Sequence, residues 1–197
     1  MKKKIIWIVA AAAAIRIIGL DQPLWLDEAI SANVAKNLSY SEILLKFGPT
    51  DFHPPLYYLI LKTWGLATGF GEVALRSLSV IFSLITVFLV YLIGKEVDDQ
   101  RRGWWAAGLV AANPLLIYYS HEVRMYSLAT MWLAAALWAI IKKKCGWYNL
   151  FSMLAVWTFY GSIYFLAGVG IYLLIKKKYR LVLVTSMGTV LALVVLG

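Results

Sequence analysis

Apolar and polar positions fall along this chain in long blocks rather than in residue-by-residue alternation. Apolar runs lie at about 5–20, 55–70, 76–94, 104–120, 125–141, 147–160, 162–175 and 181–197, parted by charge clusters or by Gly and Pro. Blocks of this kind predict helices, and the longer ones approach the roughly 20 residues that cross about 30 Å of hydrocarbon. The long polar stretch, 21–54, has a pattern of its own. Ile30, Val34 and Leu38 recur at four-residue spacing, which predicts an apolar stripe on a short helix beginning near Asp27. Ser39 and Glu42 have the spacing of a capping box, predicting a second short helix over Tyr40 to Phe47 that Gly48 and Pro49 stop.

The expected fold is therefore an all-α integral membrane protein. It is a multi-span helical bundle forming one domain over 1–197, with short amphipathic helices in the first outer loop, 21–54. Composition sharpens this: 62% of the 197 residues are hydrophobic and 15% charged, too apolar for a soluble globular domain. The length holds about six or seven spans and leaves no room for a soluble domain. The start of the chain has a basic head and an apolar stretch like a signal peptide. Arg16 interrupts that stretch and Leu20 to Pro23 is no small-residue cleavage site, so a retained first helix is expected.

The net charge of +9 changes the picture only through its distribution. Basic residues cluster at Lys2 to Lys4, at Lys95 with Arg101 and Arg102, at Lys142 to Lys144, and at Lys176 to Lys178 with Arg180. Short clusters between apolar runs mark cytoplasmic loops, not a nucleic-acid surface, so no nucleic-acid partner is expected. All four clusters face the cytoplasm only if the run at 55–70 does not cross, as suits a short segment led by two prolines. Seven of the ten acids (Asp21, Asp27, Glu28, Glu42, Asp51, Glu72, Glu122) and both histidines then fall outside. The stretch 147–175 forms a helical hairpin with its outer turn near Tyr160, Gly161 and Ser162. Cys145 is the only cysteine, which rules out a disulfide within the chain. No phosphate-binding glycine loop is present.

Three polar knots carry candidate chemistry. Asp27 and Glu28 follow Leu24, Trp25 and Leu26 where the outer loop meets the membrane. A carboxylate there can serve as a general base, or Asp27 can be the N-cap of the next helix with Glu28 supporting its dipole. His53 precedes Pro54 and Pro55 and has three open roles: orienting a phosphate, positioning a carboxylate, or ligating a metal whose other ligands are not identifiable. His121, Glu122, Val123 and Arg124 lie between two apolar runs, and ionisable groups at membrane depth usually serve a site. Glu122 and Arg124, two apart, need not pair. The tryptophans and tyrosines are read as interfacial anchors.

The stretches Leu24-Trp25-Leu26-Asp27-Glu28-Ala29, His53-Pro54-Pro55-Leu56-Tyr57-Tyr58 and Tyr119-Ser120-His121-Glu122-Val123-Arg124-Met125-Tyr126 occur in an informative order. Together they resemble the N-terminal half of the GT-C glycosyltransferases related to protein O-mannosyltransferases and lipid A aminoarabinose transferases. Arg76 and the run to Tyr91 and Gly94 look similar too, so the resemblance spans roughly 1–180. It implies an inverting glycosyltransferase of the plasma membrane with its site on the outer face. The donor would be a polyprenyl-phosphate sugar and the acceptor hydroxyl would belong to a lipid, glycan or protein. Asp27 maps to the catalytic base and Glu122 to a second site acid. Glu28, His53, Tyr57, His121 and Arg124 form the candidate substrate-binding set, with Arg124 and His53 near the lipid phosphate or the acceptor. No cofactor is implied with certainty, and a divalent cation is left open.

Such enzymes are usually much longer, whereas this sequence stops inside an apolar run at Gly197. The expectation is an incomplete unit: a truncated product, a fragment, or one half of an enzyme completed by a second chain. The rival readings are a transporter or flippase for a polar lipid, which should show internal pseudo-symmetry, and an inactive membrane scaffold.

Overall fold

The structure is a computed structural model that describes residues 3–178 and Leu181. The apolar run at 181–197 and the basic residues Lys2 and Arg180 of two clusters lie, apart from Leu181, outside the described residues. Every regular element among the described residues is a helix. The chain begins with α1 (Lys3–Ile17), α2 (Leu26–Asn37) and α3 (Tyr40–Glu42), which runs on through a π turn (Ile43–Phe47) and a 3-10 turn (Gly48–Thr50). There follow α4 (Leu56–Thr68), α5 (Glu72–Val97), α6 (Gln100–Ala111), α7 (Pro114–Ser120), α8 (Tyr126–Ile141), α9 (Cys145–Thr158) and α10 (Ser162–Ile175).

Among the described residues one helix, α5, is long and apolar enough to cross a membrane by itself, with 26 residues; α8 and α10 are apolar but shorter. The expected bundle of about six or seven spans is thus met, by length and composition, in one helix of the described residues. The run at 104–120 is divided at Asn113-Pro114. Proline has no N–H to continue the ladder, and the Asn113 side chain accepts from Leu116 N–H at 3.1 Å to start α7 afresh. The thirteen residues of α4 reach only about 20 Å, short of the hydrocarbon thickness.

The helices pack in three apolar clusters, two of which include α5. Val87 and Tyr91 of α5 pack with Ile5 and Ala12 of α1 and Ala107 and Ala111 of α6. Leu75 and Leu78 pack with Val34 of α2, Tyr57, Tyr58 and Leu61 of α4, and Val123, Met125 and Leu128. Ala136 and Ala139 of α8 join Tyr148 and Val156 of α9 and Leu166 of α10. The α5–α6 hairpin closes tightly because Gly94 faces Gly103, where an added Cβ would stand 2.8 Å from the opposing Cα.

Arg16, wholly buried in α1, is held without a carboxylate. Its Nε donates to Ser83 Oγ at 2.9 Å, and one terminal nitrogen donates to the carbonyls of Ala12 (3.2 Å) and Ala111 (2.9 Å). Ala111 ends α6, where the break at Pro114 leaves carbonyls without a helical donor, and the guanidinium supplies one. The two lysine triplets end helices in the same way. Lys143 and Lys177 adopt left-handed backbone (φ 57° and 55°), and the next N–H closes back on Ala139 and Leu173 at 2.8 and 2.9 Å.

The first loop has the expected second helix: Ser39 caps it, Glu42 answers with the reciprocal bond at 3.0 Å, and the helical path runs to Phe47. That reciprocal bonding holds the exposed Glu42 carboxyl down at about 2. The stripe on α2 is met at two of its three residues, Val34 being buried and Leu38 packing against the core, and is corrected at the third. Glu28, Ser31, Val34 and Ala35 face inward, while Ile30 is 44% exposed. Polar Glu28 takes the buried face because its partners lie inside, and Ser31 follows with its hydroxyl donating to Asp27 O of the same helix at 3.0 Å. Lys62 of α4 fastens the other end of α2, its ammonium donating to Ala35 O at 3.2 Å beside the helix C-terminus.

Candidate functional site

The start of α2 decides how the two adjacent acids are used. The N-cap is Trp25, so Asp27 lies inside the first turn and is not the cap. Glu28 takes the bond expected of a capping box, its carboxylate accepting from Trp25 N–H at 3.2 Å. Being neighbours on a helix, the two side chains diverge. Glu28 points inward and is 1% exposed, while the Asp27 side chain is 40% exposed.

Inside, Glu28 meets Arg76 of α5. The guanidinium donates to both carboxylate oxygens, from Nε at 3.1 Å and from the terminal nitrogen at 2.6 Å. Arg76 also donates to the carbonyls of Leu20 (3.0 Å), Gln22 and Pro23 (3.2 Å), gathering the turn between α1 and α2. From the far side, Val123 N–H donates to Glu28 at 2.8 Å. One buried pair thus ties the first loop, α5 and the 121–125 loop together. Forked pairing with extra backbone donors is what permits a buried ion pair.

Arg124, held beside this knot, turns its guanidinium to Asp27 at 3.6 Å and is 6% exposed. Its guanidinium lies 5.9 Å from the Tyr126 ring. Tyr126 packs edge-on to Phe159 in the α9–α10 turn, and Phe159 stacks on His53 at 6.3 Å. His53 Nδ1 stands 3.7 Å from Asp51, which also accepts from Tyr58 at 2.6 Å. Burial, with Arg124 nearby, pushes the His53 imidazole below its ordinary value despite Asp51, so the neutral ring is favoured. Asp27, Arg124 and His53 thus sit in one aromatic-walled group. Tyr57 is placed differently: it is wholly buried in the core against Tyr58.

Glu122 and His121 face another way. With Glu28 and Arg76 they line a cavity of about 350 Å³, bounded also by Trp25 and Tyr118. Asp27 and Arg124 do not line it. Burial raises the Glu122 carboxyl, the Tyr118 hydroxyl opposes this, and the neighbouring Glu28 carboxylate reinforces it.

That shift predicts a pH signature. Below the ordinary value of 4.5 both folded and unfolded chains carry the proton, and Glu122 contributes nothing. Above it the unfolded chain ionises first, so Glu122 progressively destabilises the fold until its raised value is passed. Glu122→Gln should therefore gain thermal stability over wild type as pH rises from about 4 to 8, read as a widening Tm difference in detergent micelles. A difference that stays flat with pH would contradict this.

The family profile described as dolichyl-phosphate-mannose-protein mannosyltransferase matches residues 52–197. The chain belongs to that family. No individual curated protein matches it. Mannosyltransferase family membership makes it a membrane glycosyltransferase in general terms, in keeping with α5. His53, Tyr57, His121, Glu122 and Arg124 lie within the matched range, while Asp27 and Glu28 precede it. The structure joins the two parts, since Glu28 accepts from Arg76 and Val123 and Asp27 faces Arg124 as a 3.6 Å ion pair.

Sequence reading passed over Arg76 as a site organiser, and with it Asp51, Tyr58, Trp25, Tyr118 and Phe159. Arg76 carried a signal, a lone basic residue at the head of the longest apolar helix, but its partner lies 48 residues away. Among the described residues, no three His, Cys, Asp or Glu side chains cluster as metal ligands would.

Proposed function

We propose that this chain carries the catalytic part of a multi-pass glycosyltransferase of the plasma membrane, with its N-terminus cytoplasmic and its site on the outer face. It moves a sugar from a polyprenyl-phosphate donor to an acceptor hydroxyl. The observation that carries the reading is the Asp27–Arg124 pair at 3.6 Å, a half-open carboxylate beside a buried, forked cation.

A polyprenyl tail stays in hydrocarbon while its phosphate reaches this pair. Asp27 takes the proton of the acceptor hydroxyl, whose oxygen bonds the anomeric carbon as the bond from that carbon to the phosphate oxygen breaks. Attack from the face opposite the phosphate inverts the centre. Arg124 donates to the phosphate as its charge develops, and the neutral His53 gives it a second donor without adding charge. Glu28 and Arg76 position both groups. Tyr57 supports the floor of the site from beneath, and Glu122 and His121 serve the adjoining cavity. If a second chain completes the fold, it covers this group from outside the described residues.

The test is release of free polyprenyl phosphate from a radiolabelled polyprenyl-phosphate sugar, using the chain together with any further part of its protein. Arg124→Ala should abolish most release. Arg124→Lys keeps the charge but loses the fork, and should retain more activity than alanine and less than wild type. Equal activity of the two variants would remove Arg124 from the phosphate role. No release by the wild type with any sugar would favour an inactive scaffold.

A further inference from the structure

The cavity lined by Glu28 and Glu122 has no part in holding the phosphate, and its chemistry differs from that of the Asp27–Arg124 group. Its volume of about 350 Å³ is ample for a monosaccharide and lies at the small end of ligand pockets. Its cation, Arg76, is already committed to Glu28 and three backbone carbonyls, so Glu122 leaves the lining without positive excess. An anion would find no uncommitted arginine or lysine there. A neutral group rich in hydroxyls would find the Glu122 carboxyl as an acceptor and the exposed rings of Trp25 and Tyr118 to lie against. Ile18, 75% exposed past the end of α1, gives the mouth an apolar lip.

We infer that this cavity is a carbohydrate subsite that holds a pyranose ring of the acceptor, making the acceptor a glycan or glycolipid. The inference rests on the glycosyl-transfer reading and deepens it. The donor sugar must remain beside its phosphate and hence beside Arg124. Glu28 lines the cavity while the adjacent Asp27 reaches Arg124, so a ring in the cavity lies across α2's first turn from the phosphate.

The probe is a photoreactive alkyl glucoside, crosslinked to the full chain in lipid nanodiscs without donor, the labelled residues being mapped by mass spectrometry. Label is expected within 18–25 or 118–122. Excess methyl glucoside should lower it several-fold and octanol should not. Glu122→Gln, which keeps size and shape, should lower capture several-fold, as should Trp25→Ala, while Phe52→Ala at a fully outward position should leave it unchanged. Stronger competition by unlabelled alkyl glucoside than by methyl glucoside assigns a glycolipid, and equal competition a soluble glycan; either supports the subsite. Label elsewhere, or competition by octanol alone, overturns it. Capture in this cavity without any transferase activity would sink the glycosyl-transfer reading alone, and transfer without capture here would sink the subsite alone.

Discussion

Asp27→Asn is expected to lower turnover by about a hundredfold or more while the protein still inserts and folds, because it removes a general base and little else. Asparagine keeps the size of the side chain and an oxygen that can face Arg124. The ion pair it replaces is long, at 3.6 Å, and its carboxylate is 40% exposed, so screening limits its worth to at most about 1 kcal/mol. Asp27 is not the cap of α2, so the helix start survives on Trp25 and Glu28. Donor binding should survive as well, because Arg124 and His53 are untouched. Release of polyprenyl phosphate under single-turnover conditions, beside thermal unfolding of the same preparation, separates chemistry from folding. Wild-type turnover in Asp27→Asn would show that another group takes the proton.

What the sequence made legible was local. The capping box at Ser39 and Glu42 is a bond between residues three apart, and the turn near Tyr160 follows from the apolar runs on either side. Both appear where the pattern put them. The family resemblance was legible because its motifs are contiguous, and the profile match over 52–197 agrees with it. Two things were not. Periodicity sorts polar residues to the outside, so Glu28 could not be read as part of the buried face of α2 when the reason lies in Arg76 and in backbone donors elsewhere. Nor could any pattern divide the labour of the acids. Val123 donates to Glu28 across 95 residues, and that contact turns Arg124 toward Asp27 and leaves Glu122 to the cavity.

The second large effect follows from that knot. Arg76→Leu should destabilise the fold by about 3–5 kcal/mol, since it leaves the Glu28 carboxylate buried without its cation. Three carbonyls of the α1–α2 turn lose their donor in the same substitution. Glu28→Leu should cost a similar amount by stranding the guanidinium and the N–H groups of Trp25 and Val123. The double variant removes both buried charges and should be more stable than the sum of the single losses predicts, a coupling of a few kcal/mol in a double-mutant cycle. It should not return to wild type, because the backbone groups that Arg76 and Glu28 satisfied remain unpaired. Denaturant unfolding in mild detergent measures all four corners of the cycle. Turnover should stay low in the double variant even where stability recovers, since the pair also sets the start of α2 and so the place of Asp27. Strict additivity would mean that the two side chains act separately, and recovery of full turnover would mean that Asp27 is placed by something else.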